Sequence, residues 1–389
     1  MYTNDSFDFD TPVDRRNTAS EKWDKYKGRD IIPLWVADMD FRSPPAIIRA
    51  LQQRVAHGVF GYTRVSEKLN EVIRTMLQTE YNWAVHPEWL VWLPGLVTGL
   101  NVTCRAVGED GDDVMTAVPV YPPFLSAPGH ARRNLIKVPL KETDNRWEFD
   151  FERLEQAITP RTRIFILCNP HNPVGRVFTR GELARLAAIC DRHDLIICSD
   201  EIHCGLILDP DKAHIPTAAL GTAIAQRTIT LMAPSKTFNT PGLGCAFAVI
   251  PDNDLRRRFK EAMAGIVPMI NPFGYTATEV AFRGDCADWQ TALLDYLRDN
   301  RHAVAQAVAR MPTLSMAPVE ATYLAWIDMR AAGIDQPVRF FEEAGVGLQD
   351  GIEFDGPGFV RLNFGCARTL LEKALERMAA AMDRHAKIA

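Results

Sequence analysis

The chain has 389 residues, 47% of them hydrophobic and 24% charged, with a formal net charge of −5. That length and apolar content support a large core and exclude a disordered chain. A mildly acidic balance without a basic cluster argues against nucleic acid or an anionic membrane as partner, and no apolar run reaches the ~20 residues that a bilayer span needs.

In chain order, residues 1–10 are polar and acidic, without the positive start and apolar stretch of a secretion signal. The expected location is cytoplasmic. Cysteines stand at 104, 168, 190, 198, 204, 245, 286 and 366, none in a Cys-x-x-Cys pair and most inside apolar segments. Buried reduced thiols are expected, with no disulfide framework and no metal site. Residues 1–45 read as polar and irregular, closed by Pro44-Pro45 before a helix. From about 88 onward, short apolar runs alternate with helix-like stretches. Strands are predicted at 89–93, 114–118, 135–138, 164–168, 195–199, 228–232 and 245–250. Helices are predicted at 96–107, 180–193 and 255–264. Such alternation implies right-handed crossovers and a mostly parallel sheet between helices. A long helix at 289–311, strands at 323–327 and 359–363, and a closing helix at 370–385 read as a smaller α+β unit. The expected division is an N-terminal segment (1–45) packing with a small C-terminal domain (285–389), and a large domain at 46–284.

Ligands of parallel α/β sheets bind beyond the carboxyl ends of the strands, and the polar candidates of this chain fall there. Gly95 opens a helix, so the N–H groups of Gly95, Leu96 and Val97 can cradle a phosphate, or form an ordinary strand–helix turn. Tyr121 can stack on a flat ring or serve as packing. Asn172, in Asn169-Pro170-His171-Asn172-Pro173-Val174-Gly175, can donate to a phenolic oxygen or shape a turn. Asp200 ends one strand, where helix capping is the rival role. Ser235-Lys236 follows another, and burial would make the lysine a usable amine and base. Arg361, inside 359–363, is a costly cation in a half-buried strand, explained by a gripped carboxylate or an internal ion pair. Lys236 and Asp200 together suggest a pyridoxal phosphate (PLP) site: the lysine would form the Schiff base, and the carboxylate would hold the pyridinium nitrogen protonated.

The spacing of Asn169-Pro-x-Asn-Pro-x-Gly, Asp200-Glu201-Ile202-His203 and Ser235-Lys236 resembles the class I/II aminotransferase superfamily, fold type I of the PLP enzymes. Within it, several segments are similar to the MalY/PatB-type cystathionine β-lyases. These are Asp14-Arg15-Arg16-Asn17-Thr18, Lys22-Trp23-Asp24, Pro33-Leu34-Trp35-Val36-Ala37-Asp38-Met39-Asp40-Phe41, Phe60-Gly61-Tyr62-Thr63 and Arg361-Leu362-Asn363. The likeness spans nearly the whole chain. It implies an α/β fold with a large domain built on a seven-stranded, mostly parallel sheet. Lys236 becomes the Schiff-base lysine and Asp200 the partner of the pyridine nitrogen, with Asn172 on the phenolic oxygen and Tyr121 on the ring face. Gly95, Leu96 and Ser235 would hold the phosphate. Tyr62 would reach the site of the neighbouring subunit, making a homodimer. Arg361 would bind the α-carboxylate of an amino-acid substrate, and the Asp38-Met39 segment would line the entrance. Ala233 and Gly244 stand where many relatives carry phosphate ligands, so the phosphate contacts must be shared differently. His203 stands where aminotransferases often place a tyrosine on the phenolic oxygen, and a site role and a structural role are both open to it.

The implied activity is β-elimination from cystathionine or a related cysteine conjugate, with Lys236 as base and either Lys236 or Tyr121 as donor to the departing sulfur. An aminotransferase would use the same residues and is the alternative. A PLP-containing regulatory protein is the third reading, which the complete catalytic set disfavours as a sole role.

Overall fold

In the computed structural model, residues 7–387 are described; the first six residues of the N-terminal segment and the last two of the chain lie outside the described residues. The strands are β1 (Ile32–Pro33), β2 (Leu90–Leu93), β3 (Asp113–Val118), β4 (Asn134–Pro139), β5 (Lys141–Thr143), β6 (Arg146–Glu148), β7 (Thr162–Cys168) and β8 (Ile196–Asp200). They continue with β9 (Thr228–Met232), β10 (Ala246–Val249), β11 (Ser315–Met316), β12 (Leu324–Asp328), β13 (Val346–Gly347), β14 (Gln349–Asp350) and β15 (Phe359–Asn363). A seven-stranded sheet runs in the order β2-β10-β9-β8-β7-β3-β4. Its pairings are parallel from β9 to β4, and β10 alone runs antiparallel to both its neighbours.

The central strands are continuous apolar runs because helices cover both faces. Every residue of β3 and of β9 is buried, as expected for a sheet with no solvated side. The helix Leu96–Ala106 lies close over β9: a Cβ added at Gly99 would stand 2.9 Å from the Leu231 side chain. The helix Arg180–Arg192 begins with a full capping box between Thr179 and Glu182, which satisfies its first amides reciprocally. A second, antiparallel sheet of order β11-β12-β15-β14 is flanked by the helices Ala287–Ala309 and Arg368–Ala386. Among the described residues no helix is long and apolar enough to cross a membrane.

Residues 7–45 are better organised than their sequence suggests. β1 pairs in parallel with β13, so the start of the chain joins the C-terminal segment. Lys22 is buried, its Nζ 2.7 Å from Asp40 Oδ2, while Asp40 Oδ1 accepts from Arg15 Nη1 and Trp23 Nε1, each at 2.8 Å. Breaking a buried ion pair strands a charge out of water. Lys22→Met is therefore expected to lower unfolding free energy by about 3 kcal/mol, read from urea denaturation; an unchanged midpoint and slope would remove the network from the forces that seat this segment.

Candidate active site

A cavity of about 520 Å³ opens at the carboxyl edge of the large sheet, and its walls come from five strand ends plus the N-terminal segment. Gly95 and Leu96 follow β2, and Tyr121 follows β3. Asn172 follows β7, Asp200 ends β8, and Ser235 and Lys236 follow β9. Arg361 reaches the same space from β15 of the second sheet. The structure thus brings Gly95, Leu96, Tyr121, Asn172, Asp200, His203, Ser235, Lys236 and Arg361 to one cavity. Two expected site residues stand elsewhere. Tyr62 is fully exposed and outside this lining. The Asp38 carboxylate turns to Arg15 Nη2 at 2.6 Å, and Trp35, Val36 and Ala37 line the cavity in its stead.

Lys236 Nζ donates to the Ala37 carbonyl at 2.6 Å, and Tyr323 Oη donates to the same oxygen at 2.9 Å. Burial lowers the Lys236 pKa to about 8, with a further push from Arg361 and a counter-pull from Asp38 and Asp200. Asp200 is only 4% exposed, and burial raises its pKa to about 7 against the hydrogen bond from Ile202 N–H. Its Oδ1 does make the local turn contact that competed with a site role, and the carboxyl still lines the cavity. Burial, then the charges of Lys236 and Arg361, holds the His203 imidazole well below its ordinary pKa, so the ring is neutral at pH 7. Burial pushes the Tyr121 phenol up, against the pull of Arg361.

Arg361 is 1% exposed. It donates to Asn172 Oδ1 at 2.9 Å and to the Trp35 carbonyl at 3.0 Å, and it also bonds Gln349 Oε1. Its guanidinium carbon lies 4.6 Å from the centre of the Phe354 ring. Burial lowers its pKa to about 10, so it stays charged at neutral pH. These neutral oxygens aim the cation without neutralising it, so among the described residues Arg361 has no internal ion-pair partner.

Several contributors have no side-chain signature in the sequence. The carbonyls of Trp35, Val36, Ala37 and Asp38 each accept from Arg361, Asn363, Lys236 or Lys22, forming a strap of backbone acceptors across the site. Glu201 is buried against His214 Nε2 at 2.8 Å and Ser199 Oγ at 2.8 Å, next to Asp200. Gly244 sits at φ +57° with Pro94 O 3.3 Å from where its Cβ would be, so a side chain there would meet both strain and a close carbonyl.

An antiparallel β10 set into an otherwise parallel sheet, with a lysine and an aspartate on its carboxyl edge, defines the fold of the fold type I PLP enzymes. The chain belongs to the aminotransferase class I and II family, which it matches over residues 29–378. It is 38% identical over 387 residues to cystathionine beta-lyase PatB of Bacillus subtilis (strain 168), covering 96% of this chain and 100% of that protein. The crystal structure of OvoB is similar at TM-score 0.94 and 48% identity, over 97% of this chain and 99% of that one. The structure of cystalysin from Treponema denticola, which contains a pyridoxal 5'-phosphate cofactor, matches at TM-score 0.93 and 31% identity, over 97% and 99%.

Proposed function

We propose that this protein carries pyridoxal 5'-phosphate on Lys236 and acts as a carbon–sulfur β-lyase on L-cystathionine or related cysteine conjugates, with water yielding a thiol, pyruvate and ammonia. The observation that carries this reading is the meeting of the Lys236 amine, the Asp200 carboxyl and the Arg361 guanidinium in one cavity. The lyase names of its relatives, PatB above all, favour elimination over amino transfer. The residues fit the cofactor. The helix Leu96–Ala106 starts without a side-chain cap, leaving its N-terminal dipole and the Ser235 hydroxyl to an anion. His203 Nδ1 and Arg361 Nε are buried without a hydrogen-bond partner, so polar atoms in this wall await a ligand. When bound, PLP supplies an electron sink for the pair left at the substrate α-carbon once its proton is removed.

The chain's own groups do the rest. Arg361 grips the α-carboxylate, held in plane by Asn172, Gln349 and the Trp35 carbonyl. Lys236 Nζ takes the α-proton, and with a pKa near 8 about a tenth of free amine is unprotonated at pH 7. Asp200 would hold the ring nitrogen, Asn172 and His203 the phenolic oxygen, and Tyr121 the ring face. Lys236 or Tyr121 returns a proton to the departing sulfur. Residues 46–284 form the cofactor-binding domain, and the described parts of 285–389 and 1–45 form the small one that brings Arg361. The working form is a cytoplasmic homodimer in which exposed Tyr62 reaches the neighbouring site.

Purified protein given cystathionine and no keto acid is expected to release pyruvate, ammonia and homocysteine in equal amounts over many turnovers. Amino transfer that appears only on adding a keto acid would replace the lyase with an aminotransferase, the reading that the family name also supports.

A further inference from the structure

The cavity wall is not neutral beyond Arg361. Glu21 and Glu353 both line it, both are exposed, and among the described residues neither has a cation within ion-pair distance. Glu353 is tied to the substrate clamp through Gln349, whose Nε2 donates to Glu353 Oε2 at 3.0 Å while its Oε1 accepts from Arg361. Glu21 opens the short helix Glu21–Asp24 after the Ser20 cap, and its charge reaches the Tyr121 phenol. That of Glu353 reaches Arg361. Lys25, the nearby cation, lies over the Trp35 ring at 4.4 Å and pairs with neither carboxylate. The two buried polar atoms without partners, Arg361 Nε and His203 Nδ1, stand in the same wall, so the acidic groups border a space already built for a ligand.

On the lyase reading, the α-carboxylate goes to Arg361, which leaves the sulfur substituent to meet the uncompensated carboxylates. Resting on that reading, we propose that Glu21 and Glu353 select cysteine conjugates whose departing thiol carries a positive charge, in its simplest form a protonated amine. An anionic substituent would be repelled, and a neutral one would gain nothing from either residue. Both carboxylates are solvated, so each contributes a few-fold rather than an absolute requirement, and the preference weakens as salt screens it.

Three probes of matched length test this: S-(2-aminoethyl)-L-cysteine, S-propyl-L-cysteine and S-carboxymethyl-L-cysteine. With holoenzyme at low ionic strength, kcat/KM is expected to fall in that order, the cation being favoured over its neutral isostere by about tenfold. The double variant Glu21→Gln/Glu353→Gln is expected to bring that ratio to about one to two. Equal handling of cation and neutral isostere by the unaltered protein overturns the proposal, and so does a ratio that survives in the double variant. The same ranking is read as affinity from the cofactor absorbance change on binding. A preserved affinity order without carbon–sulfur cleavage would overturn the lyase reading and uphold the charge selection; cleavage without the order would do the reverse.

Discussion

Lys236→Ala is expected to abolish turnover, by at least about 10⁴-fold, and to remove the absorbance of covalently held cofactor. On the proposed reading two roles would disappear with one amine: the covalent attachment and the proton acceptor. The loss is chemical because the surroundings survive it. Nζ holds one acceptor, the Ala37 carbonyl, and that oxygen keeps its bond from Tyr323 Oη. Burial of the Lys236 amine, which lowers its pKa, makes its charge a cost to the fold, so a methyl group there costs the fold little. Unchanged circular dichroism with lost activity is the expected pair of results. A variant that retains both turnover and absorbance would remove Lys236 from the proposed role.

The pH profile follows from the same burial. In cofactor-free protein the amine titrates near 8 instead of 10.5. Between those values the unfolded chain binds the extra proton, so this group's contribution to stability rises with pH across that window. Capture of added PLP by Lys236 is expected to accelerate from pH 6 to 8 and then level, as the amine becomes neutral. A plateau reached only above pH 10 would mean that the lysine is not desolvated.

Much of this site was readable because parallel sheets concentrate chemistry at strand ends. β9 occupies residues 228–232 and β15 residues 359–363, as the apolar runs predict, and β2, β3, β4, β7, β8 and β10 differ by one or two residues at their ends. Uninterrupted apolar strands bounded by Gly, Pro and Asn are strong signals. The strap is the opposite case. Trp35, Val36 and Ala37 act partly through carbonyl oxygens, which every residue type offers alike, and β1 and β13 are too short to show a period of two. Likeness to known lyases marked Lys22, Trp23 and the Asp38–Asp40 stretch, but only the fold shows that these bind one another. Glu21, Gln349 and Glu353 escaped notice because charged and amide side chains at irregular positions usually mean a solvated surface.

Asp200→Ala is expected to lower turnover by about 10²–10³-fold while leaving a folded protein that still attaches cofactor to Lys236. The carboxyl lies in a wall where burial, with the neighbouring Glu201 charge, raises its pKa to about 7 against the Ile202 hydrogen bond and the Lys236 charge. Without cofactor the folded state therefore holds its proton more tightly than the unfolded chain does. The contribution of Asp200 to stability is then largest below pH 4 and is lost as pH rises toward 7. A protonated pyridine nitrogen beside it reverses that balance, since an opposite charge in a low-dielectric pocket favours the ionised carboxylate. On the proposed reading, the energy that burial costs the Asp200 carboxylate would become attraction for a protonated ring nitrogen, the form in which the ring would draw electrons from the α-carbon. Stabilisation of the protein by added PLP at pH 8 should accordingly be smaller in Asp200→Ala than in the unaltered chain. If turnover and PLP stabilisation are both unchanged, the Asp200 carboxylate serves its turn contact with Ile202 and has no part in the chemistry.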